Sequence, residues 1–185
     1  PWEACITLND SWGYNAGDEA WKTPLQVVQM LTTAANGKGN LLLNIGPKGD
    51  GTIPQATLDV LNSVGAWLKR GGKEALWDTE LFTFHYEERR TPQSLERSDW
   101  NNFGNLTVKG NSLHWLLRKY PGSSVTLAGL QGKALKVTLL GDQARELKFT
   151  QEGTRLIITG LPAQRPDPVC AIVRIDCDQI GRAHV

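Results

Sequence analysis

Two periodicities divide the chain. Over the first third, apolar residues follow the strand–helix alternation of an α/β protein. The stretch "ACITLN" puts Ile6 and Leu8 in strand phase. "TPLQVVQMLTTAANG" then repeats apolar residues at helical spacing: Val27, Val28, Leu31, Ala34 and Ala35. Thr23 and Gln26 form a capping box, Pro24 takes the first helical position, and Asn36-Gly37 ends the run. In "GNLLLNIGP", Leu41, Leu42, Leu43 and Ile45 are nearly continuous. That is the pattern of a strand covered on both faces of a parallel sheet. A second helix is predicted from about Pro54 to Arg70, with Thr52 and Gln55 as its capping box. Its stripe is Leu58, Leu61, Val64 and Leu68, and Gly71-Gly72 is its stop.

Around Trp77 to Thr79 the helical period disappears. Short alternating runs follow: Leu106 with Val108; Leu113, Trp115 and Leu117; Leu135, Val137 and Leu139; Leu147 with Phe149; Leu156 with Ile158; and Val169, Ala171, Val173 and Ile175. Gly110-Asn111, Gly141-Asp142 and Glu152-Gly153 are turn signals between them. Strands at this spacing predict an antiparallel β-sandwich. "EERRTPQSLERSDWNN" reads as a polar loop. The division is therefore 1–78, the end of an α/β unit, and 79–179, a complete sandwich. Two βα units cannot close a sheet, and the chain opens at Pro1 without an initiator Met, so the sequence reads as a piece whose remainder lies upstream. The six residues "IGRAHV", Ile180 to Val185, continue no pattern. Codons that encode them resemble a sequencing-library adapter, and they are set aside from fold reasoning.

Composition narrows the function classes. Net charge is +1, with 20 Lys+Arg against 19 Asp+Glu, which gives no support to a nucleic-acid partner. No apolar run approaches the ~20 residues of a membrane helix. Cys170 and Cys177, read as sharing one strand, would lie ~23 Å apart at ~3.3 Å per residue, too far for a disulfide, so Cys5, Cys170 and Cys177 are read as free thiols. No metal-ligand spacing is present, and no cofactor is expected. "PKGDG" lacks the Lys-Ser/Thr ending of a phosphate loop, and Asp50-Gly51 reads as a turn. His114 falls in the polar phase opposite Trp115 and reads as a surface residue, and His85 lies in the sandwich segment. Trp67 and Trp77 read as core or interdomain packing. Asn44 interrupts an apolar strand, so its amide needs partners; it reads as a residue that orders neighbouring loops.

Three ordered motifs, "WEACITLNDSWGYN", "GNLLLNIGPKGDGTIP" and "LNSVGAWLKRGGKEALWDT", resemble the C-terminal part of glycoside hydrolase family 29, the α-L-fucosidases. The resemblance implies the C-terminal part of a (β/α)8-type barrel followed by a β-sandwich, thus α/β plus all-β. It implies a retaining exo-α-L-fucosidase acting on fucosylated glycans, with two carboxyl groups about 5–5.5 Å apart. The nucleophilic Asp would lie upstream, so the piece alone is expected to be inactive, and Asp10, Asp18 and Asp50 are not candidates for that role. Glu3 is the candidate general acid/base, its pKa raised by the neighbouring indole of Trp2. Trp12 and Tyr14 are candidates to line the sugar site, Trp12 by covering the apolar C6 methyl side of the ring. The family is often secreted, periplasmic or lysosomal; location and oligomeric state stay open. The alternative from another class is a non-catalytic glycan-binding protein with a decayed barrel and a sandwich module.

Overall fold

The computed structural model describes residues 2–81 and 103–180. The predicted polar loop of residues 87–102, His85 and the terminal residues 181–185 lie outside them. Two parallel strands come first, β1 (Glu3–Thr7) and β2 (Asn40–Asn44), with α1 (Pro24–Asn36) between them and α2 (Gln55–Trp67) after them. The α1 cap is the predicted one: Thr23 Oγ1 accepts from Gln26 N, and Gln26 Oε1 accepts from Thr23 N. The α2 cap is different. Pro54 is the N-cap and offers no side-chain bond. Thr52 is engaged elsewhere, donating its amide and hydroxyl to Asp50 Oδ1 at 2.9 and 2.7 Å. The buried face of α2 is Thr57, Val60, Val64 and Trp67, while Leu58 is exposed. Gly71 does interrupt the helical run, as the sequence predicts, but the chain does not leave helical structure for long. Gly71 takes φ 130° inside a wide turn over Leu68–Gly72, and the chain resumes as a short helix, α3 (Lys73–Leu76). A Cβ at Gly71 would come within 2.9 Å of Leu140, so glycine both makes this kink and lets it close on the next layer.

The rest of the described chain is antiparallel sheet. Strands β3 (Glu80–Leu81), β4 (Gly104–Lys109), β5 (Ser112–Leu117), β7 (Ala134–Leu139), β8 (Arg145–Glu146) and β11 (Ala171–Cys177) form a sheet ordered β3-β4-β5-β11-β7-β8. Strands β6 (Ser124–Leu127), β9 (Lys148–Glu152) and β10 (Arg155–Thr159) form a second, ordered β6-β10-β9. One core lies between the sheets, with Trp115, Leu113, Val173 and Ile175 meeting Val125, Leu127, Leu156 and Ile158. Two details depart from the sequence pattern. Strand β6 was not singled out, although Val125 and Leu127 alternate correctly. In β7 the phase slips: Asp176 pairs with Lys136 but Cys177 with Ala134, which leaves Leu135 as the extra residue of a bulge, 58% exposed. Ile180, set aside with the terminal residues, packs against the sandwich core.

The larger sheet is covered on its other face as well. Leu116, Val169, Cys170 and Ile172 pack against Val60, Val64, Trp67, Ala75 and Leu76. Trp67 is fully buried and donates its indole N–H to Cys170 O at 2.7 Å. Arg70 Nε meets Asp167 Oδ2 at 2.7 Å, while Asp167 Oδ1 accepts from Val169 N. Thr107 donates its hydroxyl to Ala75 O. Trp77 is not part of this layer; it is 65% exposed, with Lys73 Nζ 5.3 Å from its ring.

This layer overturns the surface reading of His114. The polar phase of β5 faces α3, not solvent, and His114 is 1% exposed. Its Nε2 lies 3.1 Å from Glu74 Oε1, and its Nδ1 has no partner. Arg174 NH1 shares the same Glu74 oxygen at 3.1 Å. Arg174 Nε is 3.3 Å from Asp176 Oδ2, close enough for an ion pair but off-axis for a hydrogen bond. Burial holds the His114 pKa below its ordinary 6.5, against the opposing pull of Glu74. Partial desolvation of Glu74 is outweighed by hydrogen bonds from His114 and Arg174, and its carboxyl titrates below 4.5.

Both shifts act in one direction. The unfolded chain protonates its imidazole below pH 6.5, whereas the folded chain holds His114 neutral to lower pH. The stability tied to that neutral form is complete above 6.5 and is lost as pH falls toward the folded pKa. The Glu74 contribution is lost only further down, below 4.5. Between about pH 6.5 and about pH 5, His114 therefore contributes a loss of stability to which Glu74 adds nothing. Gln keeps an N–H toward Glu74 without titrating. His114→Gln is therefore expected to reduce the drop in Tm between about pH 7.5 and about pH 5; an unchanged drop would remove His114 from the acid response.

Candidate functional site

Successive side chains of a strand point to opposite faces. On β1 and β2, Ala4, Ile6 and Leu8 with Leu41 and Leu43 turn to the helices, and Leu8 is completely buried beside Val27, Val28, Val60 and Val64. Glu3, Cys5 and Thr7 share the other face with Asn40, Leu42 and Asn44, in register across the pair. That face is open here: Leu42 is 52% exposed, where the apolar run predicted cover on both sides.

At the carboxyl ends of both strands, two loops meet. The ladder continues one step past β1, with Leu8 N donating to Asn44 O at 2.9 Å. The Asn44 amide then donates to Trp12 O at 2.6 Å. Gly46 is buried at φ +49°, and a Cβ there would stand 3.2 Å from Gly13 C and 3.3 Å from Tyr14 N. The first loop is tied at its base too. Thr7 Oγ1 donates to Asn9 O; Lys22 Nζ reaches the same carbonyl at 3.1 Å, and Lys22 N donates to Leu8 O. Asp18 spans the loop, accepting from Asp10 N and Ala20 N, each at 3.1 Å. The Ser11 hydroxyl, then these amides, outweigh partial desolvation and hold the Asp18 carboxyl below the usual range. It is an anchoring carboxylate, unsuited to donating a proton near neutral pH.

The rings on this backbone face solvent: Trp12 is 60% and Tyr14 45% exposed. Lys48 from the second loop sits 5.9 Å from the Tyr14 ring centroid. Trp12, Tyr14 and Asn44 are thus brought to one end of the strand pair. Gly46 and Lys48 join them without having been assigned a role from sequence, although "NIGPK" directly after an apolar run is a loop signal. Asp50 is the turn former the sequence predicted, its carboxyl held low first by the Thr52 hydroxyl and then by the Thr52 amide.

Glu3 is at the other end. It opens β1, and the four residue steps from Glu3 to Thr7 span ~13 Å at ~3.3 Å each. It is exposed. The Trp2 indole does not shield it, because Trp2 lies on the opposite face, donating to Gly37 O at 2.6 Å and packing against Gly37 and Gly39. The buried thiols offer no alternative chemistry: burial pushes Cys170 to about 12 and Cys177 to about 11, so neither is a thiolate near neutral pH.

A family model described as alpha-L-fucosidase matches residues 1–73. The tissue alpha-L-fucosidase of Rattus norvegicus is 30% identical over 173 residues, which cover 89% of this chain and 34% of the relative. The solved structure of alpha-L-fucosidase isoenzyme 1 from Paenibacillus thiaminolyticus is 33% identical with a TM-score of 0.77, covering 97% of this chain and 40% of that one. The Thermotoga maritima alpha-fucosidase in complex with fucose is 28% identical with a TM-score of 0.69, covering 94% and 39%. The chain spans between about a third and two-fifths of the length of each of these. The chain belongs to the alpha-L-fucosidase family of glycoside hydrolases.

Proposed function

We propose that this chain is the C-terminal part of a retaining exo-α-L-fucosidase that removes terminal α-L-fucose from glycans. In this reading β1 and β2 are two strands of a (β/α)8 barrel completed by residues outside the chain, and residues 79–179 are its sandwich domain. The observation that carries it is the aromatic loop at the carboxyl ends of two parallel strands, the end where barrel enzymes build their sites. Trp12 and Tyr14 supply apolar ring faces suited to a deoxysugar.

The chemistry is a double displacement. A carboxylate attacks the anomeric carbon as the glycosidic C–O bond breaks, and an acid protonates the departing oxygen. Water, deprotonated by the same group, then attacks that carbon and releases fucose with retained configuration. The nucleophile lies outside this chain, so the 185 residues alone are inactive in this reading. Sequence resemblance gives the acid/base role to Glu3. The strand geometry favours a carboxyl from outside the chain, because Glu3 starts β1 while Trp12 and Tyr14 follow its far end.

The intact protein is expected to hydrolyse an aryl α-L-fucoside, releasing the α-anomer first by NMR, while the 185-residue chain releases no aryl group. An intact protein that binds fucose without hydrolysis would favour the glycan-binding alternative. Glu3→Ala in the intact protein is expected to leave turnover of aryl and natural fucosides within about threefold. A loss of about 100-fold or more, the usual scale for a general acid/base, would instead restore Glu3 to that role.

A further inference from the structure

We propose that Asn44 and Gly46 are positioning residues that set sugar affinity through the Trp12–Tyr14 loop without touching the sugar. The inference rests on the reading above, in which Trp12 faces fucose. Asn44 ends a strand paired along its length with β1, and its amide is spent on the main-chain carbonyl of Trp12 at 2.6 Å. Because the acceptor is backbone, the bond fixes the height and direction of residue 12 while leaving its ring free. The second constraint is spatial. Gly46 adopts φ +49°, where an L side chain is strained, and lies so close to Gly13 and Tyr14 N that a Cβ would push their backbone by a few tenths of an ångström. With Lys22 and Asp18 tying the base of the loop, its backbone is held from several directions while both rings remain open to solvent.

Such an arrangement suits binding. Surface loops are ordinarily mobile, and a sugar closing onto mobile rings must pay for their ordering. A loop held by the strand beneath it presents its rings already in place. An aspartate at 44 keeps the shape of asparagine but replaces the N–H donor with an oxygen facing a carbonyl oxygen. The lock then becomes a repulsion, with no change in the volume of the site. The loss falls on binding in the ground state and the transition state alike, so it reads out in KM rather than in kcat.

The test uses the full-length enzyme with an aryl α-L-fucoside. Asn44→Asp is expected to raise KM about five- to tenfold, the scale of one lost hydrogen bond, and Gly46→Ala, independently, to raise it by several-fold through the strained φ and the crowded loop backbone, each with kcat within about threefold. Trp12→Ala should raise KM in its own right, and Asn44→Asp added to Trp12→Ala should raise it no further, since the lock acts through that ring. Unchanged KM in both lock variants, or effects that simply multiply in the double variant, would overturn the positioning role while leaving the fucosidase reading intact. Failure of Trp12→Ala to alter KM would overturn the reading of Trp12 on which it rests. Should one lock variant not fold, the other decides, because the two act on the loop through different contacts.

Discussion

The fold depends on burying both faces of the larger sheet. Strand β5 shows the requirement most plainly, with Leu113, Trp115 and Leu117 in the sandwich core while His114 and Leu116 face the helices. Trp67 is the wedge that makes the second contact possible. A fully buried tryptophan loses about 3–5 kcal/mol on truncation to alanine, and here its indole also satisfies a carbonyl of the sheet segment leading into β11. Around it, Arg70 with Asp167, Thr107 with Ala75, and His114 with Glu74 pair the polar groups that helix-on-sheet packing would otherwise strand. Segments far apart in sequence therefore form one body, and the turn at Gly71 delivers α3 to the sheet.

That rigidity reaches the site through α1 and α2. Their apolar faces clamp Leu8 and Leu43 on one side of the strand pair, which fixes the register of Glu3 to Thr7 against Asn40 to Asn44. The opposite face, with Glu3, Cys5 and Leu42, is exposed. Because register fixes Asn44 beside the end of β1, its amide meets the first loop at one defined point. Packing in the helical layer and ring position at the mouth are thus connected by ordinary covalent and hydrogen-bond geometry.

Much of this was legible from spacing. The α1 capping box, the parallel character of the first strands and most sandwich strands follow from local patterns that tertiary structure leaves unchanged. The misses share a cause: one-dimensional phase does not say what covers a face. His114 looked solvent-exposed because β5 was read as having one buried side. Leu58 and Leu61 looked like the core of α2 because the Trp67 face, which meets a sheet more than a hundred residues away, was not counted. Leu135 was misphased because a bulge leaves no signature in alternation alone. At the carboxyl ends of β1 and β2, residue type singled out Trp12, Tyr14 and Asn44, whereas the approach of Gly46 and Lys48 to that loop needed the loops' relative position.

The Trp-Glu pair at the start of β1 has a structural task that is visible without any assumption about catalysis. Trp2 spends its indole N–H on Gly37 O, receives Asn40 N on its own carbonyl, and covers two glycines that leave room for its ring. It thereby staples the entry of β1 to the turn that launches β2. That contact lies at the amino ends of the two parallel strands, whereas the Trp12 loop lies at their carboxyl ends. The strand pair is thus tied at both ends: Trp2 joins its amino end to the turn before β2, and Asn44 joins its carboxyl end to the Trp12 backbone. Glu3, one residue on, enters the ladder opposite Asn40, so the staple places its backbone whatever its side chain does.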